Sequence, residues 1–149
     1  MLRSQSVRIV IGAASAALLV VAAPRAADAL HHGPHVKITS PKKGAKVTSP
    51  VTVIAAVEEF KLVPAGTPLA EGEGHLHFFI DVPADNVKPG AMIPLDTLTR
   101  YIHLGKEPFD RRDLTLAPGK HTITVVAANS GHQRIKDVKP YSVTFTVTP

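Results

Sequence analysis

Hydrophobic and polar residues alternate in short runs along most of this chain. Tyr141 to Thr148 shows the pattern most cleanly, with Tyr141, Val143, Phe145 and Val147 on one side and Ser142, Thr144, Thr146 and Thr148 on the other. His35 to Thr39 repeats it with Val36 and Ile38. A period of two is what a half-buried strand requires, because successive side chains point to opposite faces. Val51 to Val57 is apolar on both sides and predicts an inner strand. His75 to Val82, Tyr101 to Leu104, Asp113 to Leu116 and His121 to Ala128 supply the remaining strand-like segments. Pro41-Lys42-Lys43-Gly44 and Pro118-Gly119 read as turns, and Leu62 to Gly74, Pro83 to Thr99 and Asn129 to Pro140 as loops. Pro83 to Thr99 exceeds the roughly 12 residues beyond which loops in compact domains are usually functional or disordered. About seven short strands with no amphipathic helix predict an all-β fold, an immunoglobulin-like antiparallel β-sandwich.

The first 29 residues break this pattern. Arg3 and Arg8 supply a positive n-region, Val7 to Ala23 is a largely apolar run, and Ala27-Asp28-Ala29 forms a small-x-small cleavage site, the arrangement of a secretory signal peptide. Gly12 and Ser15 interrupt the run, which is short beside the roughly 20 apolar residues of a spanning helix. The expected organisation is a signal peptide at 1–29, a histidine-rich leader at 30–35 and a β-sandwich domain at 36–149. The expected location is periplasmic or secreted, with no membrane span after cleavage.

Composition narrows the function. Loss of Arg3, Arg8, Arg25 and Asp28 with the signal lowers the net charge from +5 to +3. The remaining basic residues are scattered, and no basic helix or aromatic platform accompanies them, so a nucleic-acid partner is not expected. The chain has no cysteine. Thiolate chemistry and cupredoxin-type ligation are therefore excluded, and the domain must be held by packing alone. Only Met92 remains outside the signal, too few for methionine-rich cuprous ion handling.

The eight histidines fall into two groups. Two apart on one strand, His75 and His77 point the same way with Cα atoms about 6.5 Å apart, so both reach one ion from one side. That is half a site. His103 and His121 lie at strand ends, and His132 lies in the loop after the His121 strand, where each could complete it. Three or four imidazoles suit zinc or copper. Asp81 follows the pair on the same face and is a candidate to orient a ligating ring from behind. The second group is the leader. A chain beginning Leu30-His31-His32 offers an α-amine, two backbone amides and a third-position imidazole, a square-planar set suited to cupric ion, with His35 close by. Glu58, Glu59, Glu71 and Glu73 read as solvated charges. Ser130 neighbours His132, but no strained G-x-S-x-G elbow exists, so hydrolase chemistry is not expected and no catalytic residue is assigned.

Several of these segments together resemble a family of small exported bacterial domains of unknown function, some of whose members are labelled rod shape-determining proteins. The resemblance rests on Pro64-Ala65-Gly66, Gly74-His75-Leu76-His77 with Ile80-Asp81, His103-Leu104-Gly105, Leu116-Ala117-Pro118-Gly119-Lys120-His121-Thr122, His132 and the Ser142 to Val147 strand. It covers roughly residues 36 to 148 and departs at Lys106 to Arg112, where relatives carry a shorter polar link. The family is uncharacterised and implies no activity. A looser similarity of site style links Gly74-His75-Leu76-His77 to the copper strand of copper-zinc superoxide dismutase, although the glycine spacing differs by one and no disulfide pair or zinc loop accompanies it.

The sequence thus predicts an exported copper- or zinc-binding protein for metal buffering or delivery, holding its ion on His75, His77, His103 and His121 with His132 as a further ligand. Two rival readings are a non-catalytic cell-envelope module that presents the Pro83 to Thr99 loop to a protein partner, and a copper-dependent redox enzyme of superoxide dismutase type.

Overall fold

The computed structural model describes residues 33–94 and 99–149; the proposed signal peptide and Leu30, His31 and His32 of the leader lie outside the described residues. The described strands are β1 (His35–Ser40), β2 (Lys46–Thr48), β3 (Val51–Glu58), β4 (Lys61–Leu62), β5 (Glu73–Ile80), β6 (Tyr101–Leu104), β7 (Arg111–Leu114), β8 (Gly119–Ala128) and β9 (Tyr141–Thr148). One turn of 3₁₀ helix, Ala84–Asn86, is the helical element among the described residues, none of which forms a helix long and apolar enough to cross a membrane.

The strands form two sheets, one in the order β1-β3-β7 and the other β2-β9-β8-β5-β4, with β6 also paired to β5. β6 and β4 share one edge of β5, at Leu76 to Phe79 and at Glu73 to Gly74 respectively, while β8 takes the other edge from His75 to Ile80. Three strands facing a sheet of this order make an immunoglobulin-like antiparallel sandwich. The alternation seen in the sequence explains the layer between the sheets. Val36, Ile38, Val51 and Val53 from one sheet meet Leu76, Phe78, Ile80, Ile123, Val125, Phe145 and Val147 from the other.

A second apolar layer lies on the opposite face of the larger sheet. Phe79, Val126 and Ala128 point outward and are covered by Val82, Val87 and Ile93 of the long loop, with Tyr101 edge-on to Phe79 at 4.8 Å between ring centres. The loop is fixed to the segment after β8. The Arg134 Nη1 donates to the carbonyls of Ala84 at 2.8 Å and Val87 at 2.6 Å, and the backbones pair through Gly90 N–H to Arg134 O, Arg134 N–H to Ala91 O and Ile93 N–H to His132 O. β5 is therefore buried on both faces, which is why Leu76, His77, Phe78 and Phe79 are all fully buried in succession.

The structure departs from the sequence expectation in four places. β2 and β4 are additional strands of three and two residues, paired in parallel to β9 and β5 and too short to show a period. β7 begins two residues earlier than expected because Val51 to Ile54 pair with Leu114 to Arg111. β3 is buried on one face only, Thr52 being exposed and Ile54 and Ala56 half-buried. Finally, β5 ends at Ile80, and Asp81 takes a left-handed φ of 56° outside the strand.

Gly74 marks the closest approach of β5 to β8, since a Cβ there would run into the Ala128 carbonyl and the Phe60 ring. Replacing Gly74 with alanine should destabilise the domain by about 1–3 kcal/mol through overpacking. Gly33→Ala, whose Cβ would meet nothing within 4 Å, should leave it unchanged. Denaturant midpoints of the two variants check this directly.

Candidate metal centre

Three strand positions and one loop position converge on the outer face of the larger sheet. His75 and His77 stand two apart on β5, and His77 is directly opposite His103 of β6, their rings stacked at 4.9 Å. On the other side His75 is opposite Ala128 of β8, whose small side chain leaves the space above it open. There the chain turns back. The Asn129 Oδ1 accepts the backbone N–H groups of Gly131 and Gln133, both at 3.0 Å, and His132 donates its N–H to the Asn129 carbonyl at 2.9 Å. With a left-handed φ of 61°, His132 brings its ring to 4.8 Å from both His75 and His103 and 5.9 Å from His77. One ligand nitrogen from each of the four rings lies within 4.8 Å of all the others.

Gly105 makes room for this arrangement: a Cβ at that position would strike the His103 ring at Nε2 and Cε1. Arg112 reaches across from β7 and donates from Nη2 to the His103 carbonyl at 3.2 Å, fixing the β6 backbone from the opposite side.

The surroundings disfavour protonation of His75, His77 and His103. His75 and His77 are fully buried, while His103 and His132 are half-buried. The Nε2 atoms of His75 and His77 are 3.1 Å apart, so one ring donates and the other accepts, and they do not both carry a proton there. Burial, reinforced by His103 and His132, pushes the His75 pKa down to about 4. Burial together with the three neighbouring rings pushes that of His77 down to about 2. His103 is also lowered, by burial, His132 and Arg112 in that order. The Nδ1 atoms of His75 and His77 and the Nε2 of His103 are buried without a hydrogen-bond partner. A buried polar atom left unpaired costs about 1–3 kcal/mol. Four imidazoles around one point, three of them with a buried, unpaired nitrogen, are the kind of donor set that suits a borderline transition metal.

His121 does not belong to this set. It lies five residues along β8 from Val126, the partner of His77, about 17 Å away at strand rise. It also points to the opposite face, across from Phe145, because an odd number of residues separates it from the outward positions. Its Nδ1 is 2.8 Å from Asp81 Oδ2 and its Nε2 is 2.9 Å from the Ala117 carbonyl. Asp81 likewise serves His121 rather than the cluster: outside β5, its other oxygen accepts the Thr122 N–H at 2.7 Å. Partial burial disfavours the charged His121 ring, but the Ala117 carbonyl and the Asp81 carboxylate outweigh it and the pKa is raised. His35 is apart as well, on β1, with Nε2 3.2 Å from Glu58. Glu58 also pairs with Lys37, and Glu73 with Lys61, as solvated charges would.

The family model described as "Domain of unknown function (DUF4399)" matches residues 53–148, a span that contains all four clustered histidines. The chain belongs to the DUF4399 family. Among solved structures, this DUF4399 protein is similar to fibronectin(III)-like modules of Clostridium thermocellum CbhA, at 17% identity and a TM-score of 0.45, over 76% of this chain and 95% of that one. No curated protein matches it.

Sequence reasoning found His75, His77, His103 and His132 but missed the residues that seat them, Gly105, Asn129, Arg112 and Arg134. The glycine two after His103 and the Asn129-Ser130-Gly131 turn before His132 were the available signals.

The metal-free DUF4399 protein should show two opposing pH dependences. His75 and His77 take up protons near pH 6.5 when unfolded but stay neutral when folded until about 4 and 2, so between pH 6.5 and 4 the unfolded state binds more protons and stability falls with falling pH. The raised His121 stabilises below the unfolded pKa, and that contribution is lost as pH rises through its folded value. Denaturation across pH 4 to 8 should show the acid slope flattened in H75Q/H77Q and the alkaline loss reduced in D81N.

Proposed function

We propose that this protein is an exported transition-metal-binding domain that holds one zinc or copper ion on His75, His77, His103 and His132 and serves metal buffering or delivery. The observation that carries this reading is the convergence of four imidazoles with three buried, unpaired ring nitrogens. Ordinary packing gives no reason to leave such atoms unpaired, whereas an ion bonded to them removes the desolvation penalty.

The geometry is also close to what an ion requires. Four nitrogens at about 2.0–2.1 Å from a tetrahedral zinc stand about 3.3 Å apart. Here one nitrogen from each ring lies within 4.8 Å of the other three, so ring rotations of modest size close the set. The low pKa values of His75 and His77 mean that protons compete weakly for their nitrogens at neutral pH. When bound, zinc would supply a closed tetrahedral link among three elements, and copper would add a redox-active centre.

Elemental analysis and competition titration of the full chain with zinc and copper test the reading. One ion per chain is expected at this site. The H75A/H77A variant should lose it or bind at least about 100-fold more weakly, whereas H121A and H31A/H32A/H35A should keep it. Equal stoichiometry and affinity in H75A/H77A, with an unchanged circular dichroism spectrum, would overturn the proposal.

A further inference from the structure

The four histidines are not equivalent, and this inference rests on the metal reading of their site. His75 and His77 sit on β5, where β8 pairs with both and β6 with His77, so their backbones are held in place and their sealed rings have little room to swing. His103 sits on β6, held by the β5 ladder, by the Arg112 contact to its carbonyl and by the seat that Gly105 opens for its ring. His132 alone belongs to no strand. Its position depends on two hydrogen bonds accepted by one side-chain oxygen of Asn129, on its own N–H to the Asn129 carbonyl, and on the Ile93 N–H to its carbonyl. It also keeps a non-glycine residue at a φ of 61°, a strained conformation that is released if the loop relaxes.

Burial separates the rings in the same sense. His75 and His77 are sealed, and of the two half-buried rings, His103 and His132, only His132 is borne by a loop. An ion cannot leave four ligands until one of them departs, and here three of the four are borne by paired strands. The set contains no carboxylate, so exchanging one imidazole for one incoming uncharged nitrogen donor leaves the formal charge of the site unchanged.

We infer that the ion is an exchangeable cargo that enters and leaves by way of His132, and that the Asn129 side chain sets the rate. His75, His77 and His103 form a three-nitrogen floor that keeps hold of the ion while His132 swings off and a ligand from the donor or acceptor takes its place. The partner implied is any molecule that presents a nitrogen or sulfur donor at this rim. Asn129 acts as a positioning residue and does not touch the metal.

The test is the rate at which the zinc-loaded full chain, and then the copper-loaded one, gives up its ion to an excess of a chromophoric chelator. N129A keeps all four imidazoles and should release about tenfold faster or more, whereas N129D, which retains an acceptor oxygen for Gly131 and Gln133, should behave as the unaltered chain. H132A should still bind one ion on three nitrogens and release it fastest of the single variants. Adding N129A to H132A should then change nothing, because the side chain acts only through that ring. An N129A rate equal to the unaltered chain, an equal acceleration by N129A with and without His132, or faster release from H103A than from H132A would each overturn the inference while leaving the metal site standing. Failure of the unaltered chain to bind an ion, or indifference of its ion to H75A/H77A, would instead overturn the metal reading itself.

Discussion

The outer layer of this domain depends on one buried guanidinium. Arg134 is 7% exposed, and its Nη1 gives hydrogen bonds to two carbonyls of a loop nearly fifty residues upstream, while its backbone pairs with the same loop at Gly90 and Ala91. Its carboxylate neighbour, Asp85, is 3.8 Å away and almost wholly solvated, so the two carbonyls on Nη1 rather than an ion pair hold the guanidinium, whose Nε is buried without a hydrogen-bond partner. Charge-assisted hydrogen bonds of this type are roughly twice as strong as neutral ones, and losing one partner of a buried charge is far more damaging than losing an exposed pair. Everything on this face follows from that clamp. It holds Val87 and Ile93 over Phe79 and Val126, and it fixes the segment that carries His132 beside β5.

The same two strands then create opposite environments for histidine at their two ends. At one end the ladder is covered, four rings face each other without an acid, and burial lowers the pKa of His75, His77 and His103. At the other, the left-handed turn at Asp81 places a carboxylate on one nitrogen of His121 and the Ala117 carbonyl on the other, and the pKa is raised. The same residue type is thus pushed in opposite directions by what its two nitrogens meet.

The fold was legible because period-two alternation survives wherever one face of a strand is wet, and the bounds of β6 and β9 follow from it residue for residue. It fails where pairing is brief, as in β2 and β4, and where both faces are dry, as in β5. The His75 and His77 pair was legible for the same reason, since two residues of spacing fix a common face. Whether His103 or His121 completes the set was not, because that depends on which strand lies on which edge of β5 and on the parity of the β8 register. Both are tertiary facts with no local signal. Asp81 was misplaced because the strand was expected to run to Val82, whereas it ends at Ile80. Asn129 and Gly105 carried readable turn and small-residue signals, but their purpose becomes visible only when the rings they seat are in place.

One feature of the smaller sheet bears on how such a molecule lives at high concentration. β7 covers β3 only from Val51 to Ile54, and the last rung beyond it is the Ala55 N–H to the Asp110 carbonyl. By strand alternation the N–H and carbonyl of Val57 point to the uncovered side, beside an apolar groove of Leu62, Pro108 and Phe109. A bare strand edge over apolar side chains is an invitation to intermolecular sheet growth. Here the groove is flanked by Glu107 and Asp110, and β3 ends in Glu58 followed by a left-handed Glu59 that turns the chain away. Charged side chains and an early end to the strand are devices by which native sheets blunt an open edge, and both stand at this one.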